Sequence, residues 1–166
     1  MRAVAVAVLL VAALAGCGGG GGDGGDDRSF VVDILPAIDA VEADLGPGQE
    51  YFEVTATPQL VNLFVAIEGA TAAVPYVYLD GELQPPAPAL TGAAGFTFTA
   101  EAVDFDETSI LDAVSQELPD STIEALSIEG GDAGTVRYVV STRSPEGGRL
   151  DVTVAGDGAV LEVDPV

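Results

Sequence analysis

The chain of 166 residues carries 27 acidic side chains against 5 basic ones, all of them arginine (Arg2, Arg28, Arg137, Arg143 and Arg149), and it has 1 cysteine and no histidine. Without histidine or lysine it cannot build a Ser-His-Asp or Cys-His nucleophile, a Schiff base, a phosphate-loop lysine or a His/Cys zinc site, so only carboxylate chemistry stays open. Hydrophobic residues make up 48% of the chain and charged ones 19%, a balance that can offset the ordering entropy of folding.

The first segment is a leader. Met1-Arg2 gives a positive start and residues 3–14 are an uninterrupted apolar run, too short for a membrane span of ~20 residues and suited to a secretion signal. Leu14-Ala15-Gly16-Cys17 then resembles the lipobox of bacterial lipoproteins. That resemblance implies diacylglyceryl attachment to the Cys17 thiol, cleavage before Cys17 and export. An ordinary cleaved signal beside a free cysteine is the other reading, and the placement of the sole cysteine at this point favours the lipid. Residues 18–29, built from glycine, aspartate, Arg28 and Ser29, read as a flexible linker with a reach of roughly 19 Å. The expected layout is a signal peptide over 1–16, the lipidated cysteine and linker over 17–29, and one domain over 30–166.

Cleavage leaves 27 acids against 4 arginines, a net charge of −23 on the mature chain. Such a charge repels phosphate backbones and anionic head groups, which excludes nucleic acid as a partner and limits membrane contact to the lipid on Cys17. Solubility alone accounts for an acidic surface; a specific basic partner is the narrower reading.

Within the domain, Ile34, Ile38, Val41 and Leu45 follow helical spacing after Asp33 as N-cap, and Gly46-Pro47 stops that helix. The period then changes to two over 51–57, 60–67 and 74–79, ending at Asp80-Gly81, a hairpin signal. Pro85, Pro86 and Pro88 spoil a fourth strand, so 84–95 reads as a connector, and 96–105 as one further strand. A second helix carries Leu111, Val114 and Leu118, with Thr108 as N-cap and Pro119 as stop. Strands over 122–128, 136–142 and 150–155 follow, and then Asp157-Gly158. Asp39-Ala40-Val41 returns as Asp112-Ala113-Val114 at a spacing of 73 residues. These patterns predict an α+β domain of two tandem helix-plus-antiparallel-meander repeats, with both helices on one face of the sheet. Repeat one spans 33–83, the connector 84–106 and repeat two 107–166.

This layout resembles the PepSY-like and beta-lactamase-inhibitor-like modules of exported bacterial proteins. The resemblance covers about 33–166 and implies a noncatalytic binding or inhibitory role, with no functional residue to carry over.

Three residue sets are candidates for function. If Val61, Leu63, Val65 and Ile67 face the core together with Pro75, Val77 and Leu79, then Phe64, Tyr76 and Tyr78 share an uncovered face with Tyr51 nearby, an aromatic partner-binding surface. The competing reading has 84–95 folding over that face. Arg137, Arg143 and Arg149 cluster in one hairpin, either as a secondary anion site or as partners of acids such as Asp151 and Glu146. Asp104-Phe105-Asp106-Glu107 could serve calcium or acid/base work, but the calcium-loop pattern is absent and acids at a helix start are explained by capping and the helix dipole. No catalytic residue, metal site or cofactor is assigned. The expected function is a lipid-anchored, extracytoplasmic, noncatalytic envelope protein that binds a protein or envelope component through a sheet face. The alternative is a carboxylate-dependent hydrolase or calcium-binding module.

Overall fold

In the computed structural model, which describes residues 30–166, the chain enters at a buried Phe30 and a 3-10 turn, Val31–Asp33, that leads into α1 (Ile34–Leu45). The leader, the lipobox with Cys17 and the linker lie outside the described residues. In α1 the residues Ile34, Ala37, Ile38 and Val41 are buried, the spacing of a single helical stripe. Gly46 ends the helix at φ 97°, donating its N–H to the Glu42 carbonyl. Asp33 holds the N-cap position, but its side chain makes no capping bond.

The strands follow as β1 (Glu50–Ala56), β2 (Val61–Ile67), β3 (Ala72–Leu79), β4 (Glu82–Leu83), β5 (Leu90–Thr91) and β6 (Phe98–Thr99). After a 3-10 turn, Ala100–Ala102, come α2 (Glu107–Glu117), β7 (Thr122–Gly130), β8 (Val136–Arg143), β9 (Arg149–Val154) and β10 (Val160–Pro165). All pair antiparallel in one sheet of order β10-β9-β8-β7-β1-β2-β3-β4, with β5 beside β3 and β6 beside β1. The fold is therefore α+β, with one large antiparallel sheet. Ile34, Ile38 and Val41 of α1 and Ile110, Leu111 and Val114 of α2 join Val54, Leu63, Ile128 and Val140 of the strands in one core.

Three local expectations change. The N-cap of α2 is Asp106, not Thr108: its backbone is extended (φ −97°, ψ 105°) and its carboxylate accepts the Ser109 N–H at 2.7 Å. The strand expected over 96–105 shrinks to Phe98–Thr99, because β1 offers that segment only Glu50 and Tyr51 while β7 already occupies Glu53 to Ala56. The segment after β4 does more than connect. Gln84 donates to the Val77 carbonyl at 2.8 Å, Ala87 to that of Pro75 at 2.9 Å, and Leu90 and Thr91 pair with Ala73 and Ala72. It runs along β3 as an interrupted edge strand, and Pro85, Pro86 and Pro88 deny that edge donors for further pairing.

Both Asp-Gly pairs fall in hairpin turns, of different kinds. Asp80 and Gly81 take φ 53° and 81°, the two left-handed positions of a tight two-residue turn between β3 and β4. Between β9 and β10, Gly158 at φ 90° closes the turn by donating to the Ala155 carbonyl at 2.9 Å. A Cβ on Gly158 would lie 2.5 Å from the Ser109 carbonyl oxygen of α2, so this glycine also sets how closely the turn meets the helix.

Gly147 provides the control, since at φ 88° a Cβ added to it would meet nothing within 4 Å. Gly147→Ala should cost only the left-handed backbone term of about 1 to 2 kcal/mol, and Gly158→Ala clearly more, about 1 to 3 kcal/mol beyond it, through overpacking. Urea unfolding of the two variants side by side measures the difference.

Candidate functional site on the helix-free face

Directly opposite residues of an antiparallel sheet share a face, so the register divides the strands into two surfaces. One row reads Tyr76, Leu63, Val54, Ile128, Tyr138 and Val154 across β3, β2, β1, β7, β8 and β9. Every residue in that row is buried beneath the helices. A row of the other face reads Pro75, Phe64, Glu53, Glu129 and Arg137.

The aromatic set proposed from the sequence is thereby split. Tyr76 pairs with Leu63 and Tyr78 with Val61, which places both on the helix-covered face; Tyr76 is buried, and Tyr78 packs against the core. Tyr51 pairs with Val65, is fully buried and stacks on Phe98 at 5.8 Å between ring centroids. Phe64 alone stays on the helix-free face. The set Pro75, Val77 and Leu79, expected to face the core, is the one turned away from it. The cause is the turn between β2 and β3: Ile67 pairs with Ala72, and Glu68, Gly69 and Ala70 all take left-handed backbone angles. Only one of those three is glycine, so strand ends and relative facing are not visible in the residue types.

Around Phe64 the helix-free face forms a groove of about 320 Å³, lined by Phe52, Glu53, Phe64, Ala73 and the strap from Leu90 to Ala94. Residues of the proline-rich segment thus flank Phe64, as in the competing reading, yet leave it half-buried beside a cleft. Leu90 and Phe96 are 51% and 56% exposed. Phe52, Glu53 and Leu90 are absent from the candidates that the sequence suggests. A usable signal exists in Tyr51-Phe52, since adjacent residues of a strand point to opposite faces and Tyr51 takes the core. A bulge between Tyr51 and Glu53 then sets Glu53 opposite Phe64. The Glu53 carboxylate accepts from Thr55 Oγ1 at 2.5 Å.

Of the three arginines, Arg143 and Arg149 come together across β8 and β9 while Arg137 sits near the opposite end of β8, and their partners are Glu124 and Glu129 rather than Asp151 and Glu146. Arg143 and Arg149, directly opposite each other, both donate to Glu124, at 2.5 and 2.9 Å, and Arg137 pairs with Glu129. Arg143 first and Arg149 second hold the Glu124 carboxyl below its usual range, and Glu129 raises the Arg137 guanidinium. Asp151 is bonded by Ser141 at 2.7 Å. The guanidinium donors facing these acids are already engaged, and each pair is solvent-exposed enough to contribute little stability.

The carboxylates of Asp104-Phe105-Asp106-Glu107 do not form a metal set, and among the described residues no three potential ligands converge. Tyr138 clasps this segment, its hydroxyl donating to the Asp104 carbonyl at 2.9 Å and accepting the Asp104 N–H at 3.0 Å. Its ring rests on Phe105 at 5.5 Å. The capping bond from Ser109 depresses the Asp106 carboxyl, as a helix N-terminus does for an anion.

No family model matches the chain, and no curated protein matches it. Among solved structures, it is similar to a crystal structure of a protein from Clostridium difficile 630 designated a lipoprotein. The TM-score is 0.58 and the identity 10%, over 86% of this chain and 97% of the other. At that identity the likeness establishes the shared fold.

The Tyr51 hydroxyl is buried with no hydrogen-bond partner among the described residues. Burial first, then Glu42 and Asp39, push its ionisation far up, so the group is a neutral orphan that forfeits hydration. Tyr51→Phe should leave stability unchanged or raise it by up to about 1 kcal/mol, the reverse of a recognition anchor or hydrogen-bonded network. Thermal unfolding at neutral pH reads the sign.

Proposed function

We propose that this protein is a lipid-anchored extracytoplasmic protein whose folded domain is noncatalytic and engages a protein or envelope component through its helix-free sheet face. The observation that carries the reading is Leu14-Ala15-Gly16-Cys17 at the end of an apolar leader. The fold likeness to a protein designated a lipoprotein agrees with it. Among the described residues no helix is long and apolar enough to cross a membrane; in this reading the acyl chains on Cys17 supply the attachment. Residues 18–29 act as the tether between lipid and domain.

The noncatalytic assignment draws on the fates of the chemical candidates. Asp104 and Asp106 serve the start of α2, and the arginines are paired to glutamates. What the domain offers is an open sheet face with an aromatic groove. We further propose that the domain arose by duplication of a helix-plus-meander unit. The recurrence of Asp39-Ala40-Val41 as Asp112-Ala113-Val114 in α1 and α2 supports this, as does the outward order of strands on either side of β1 and β7.

Cys17→Ser should move the protein from the membrane pellet to the soluble fraction of the envelope, because attachment by two acyl chains is lost in one step. Retention of the variant in the pellet after a salt wash contradicts the lipid anchor.

A further inference from the structure

Charge is distributed unevenly along the chain. Between Arg28 and Arg137 there is no basic residue, and that stretch holds 19 acids. All three arginines of the domain sit on β8 and β9. The half of the helix-free face built by β1, β2 and β3 therefore has no cation of its own.

On that half the groove at Phe64 combines two features. Phe52 and Phe64 supply apolar walls, with Leu90 and Phe96 exposed on the same strap that crosses toward β7, where the Phe96 backbone meets Gly130. Glu53 stands directly opposite Phe64 on one side and Glu129 on the other. Arg137 answers Glu129, whereas Glu53 has only the Thr55 hydroxyl, and no arginine reaches it among the described residues. Like charges placed opposite one another on neighbouring strands are unfavourable. A cation arriving at Glu53 relieves that repulsion.

From this placement we infer that the groove takes the lysine or arginine side chain of an extended, basic segment of a partner protein. The aliphatic stem lies against the Phe52 and Phe64 rings and the cation pairs with Glu53. Aromatic faces attract such cations, and long basic side chains bury their stems while keeping the charge in water. The field of a −23 chain draws a basic partner toward the surface and repels a second copy of itself. This inference rests on the sheet-face reading and names the partner class for it.

The test uses the mature chain carrying Cys17→Ser, which keeps domain and linker in water, and a short capped peptide alternating lysine and leucine, labelled for anisotropy. The control peptide has glutamine for lysine. The expected result is binding of the lysine peptide that Glu53→Gln weakens roughly three- to fivefold, as loss of one ion pair at a surface does. Phe64→Leu, which keeps an apolar side chain for folding, should weaken it by a similar factor. Glu117→Gln, an exposed carboxylate on α2, should leave it unchanged. Equal losses at Glu117 and Glu53 overturn the inference, since attraction is then to net charge alone. Equal binding of the glutamine peptide, lost in Phe64→Leu, also overturns it while preserving the sheet face as a binding surface. Absence of binding by either peptide overturns it without touching the lipid anchor, which the fractionation of Cys17→Ser decides separately.

Discussion

Antiparallel pairing of β1 with β7 holds the sheet together at its centre. Val54 faces Ile128 and Ala56 faces Leu126, all four fully buried, while on the other face Thr55 Oγ1 and Ser127 Oγ are hydrogen-bonded at 2.8 Å. Neither flank could stand well alone. A unit of about 60 residues buries only about 60% of its unfolded surface and is marginal. Joined at this seam, α1 and α2 bury their stripes in one core, and neither β1 nor β7 is left as an open apolar edge.

The seam also explains why the two faces differ so sharply. Once both helices are committed to one side, the opposite side has, among the described residues, only the strap that returns from the β3 margin toward β1 to cover it. That return is long because the chain must travel from one edge of the sheet to its middle before α2 begins. Its prolines close the edge it leaves, and its last residues, Phe98 and Thr99, use the two places on β1 that β7 does not. The groove at Phe52 and Phe64 is thus a by-product of connectivity, available for recognition without cost to the core. Acidity on this side has a parallel origin, since the only cations of the domain were placed where Glu124 and Glu129 need them.

Much of the architecture is legible in the residues. Helical spacing at Ile34, Ile38 and Val41, the Gly46 stop, and alternation in 60–67 and 136–142 all correspond to observed elements, because periodicity reports directly on a one-sided core. Both Asp-Gly pairs mark turns for a backbone reason, as each places glycine at positive φ. Facing is the weak point. Val61, Leu63 and Val65 face the core as their alternation implies, yet β3 is turned over, since Val74 to Leu79 is apolar on both sides and alternation alone cannot choose. The parity of the turn at Glu68, Gly69 and Ala70 chooses instead. For the site, that inversion takes Tyr76 and Tyr78 out of the expected surface, while on β1 the burial of Tyr51 and the bulge before Glu53 bring Phe52 and Glu53 to the groove beside Phe64. Arg143 and Arg149 meet across β8 and β9 as their positions suggest, but their partner Glu124 lies at a bulge of β7, between Ile123 and Ala125, that no local pattern announces.

If the β1 to β7 seam makes one core of both flanks, they unfold together. Differential scanning calorimetry of the domain in moderate salt measures this directly by comparing calorimetric with van't Hoff enthalpy. The seam as described gives a single transition with a ratio of about one. Two resolved transitions, or a ratio well above one, would show that the flanks fold independently and that the shared core does not govern the structure.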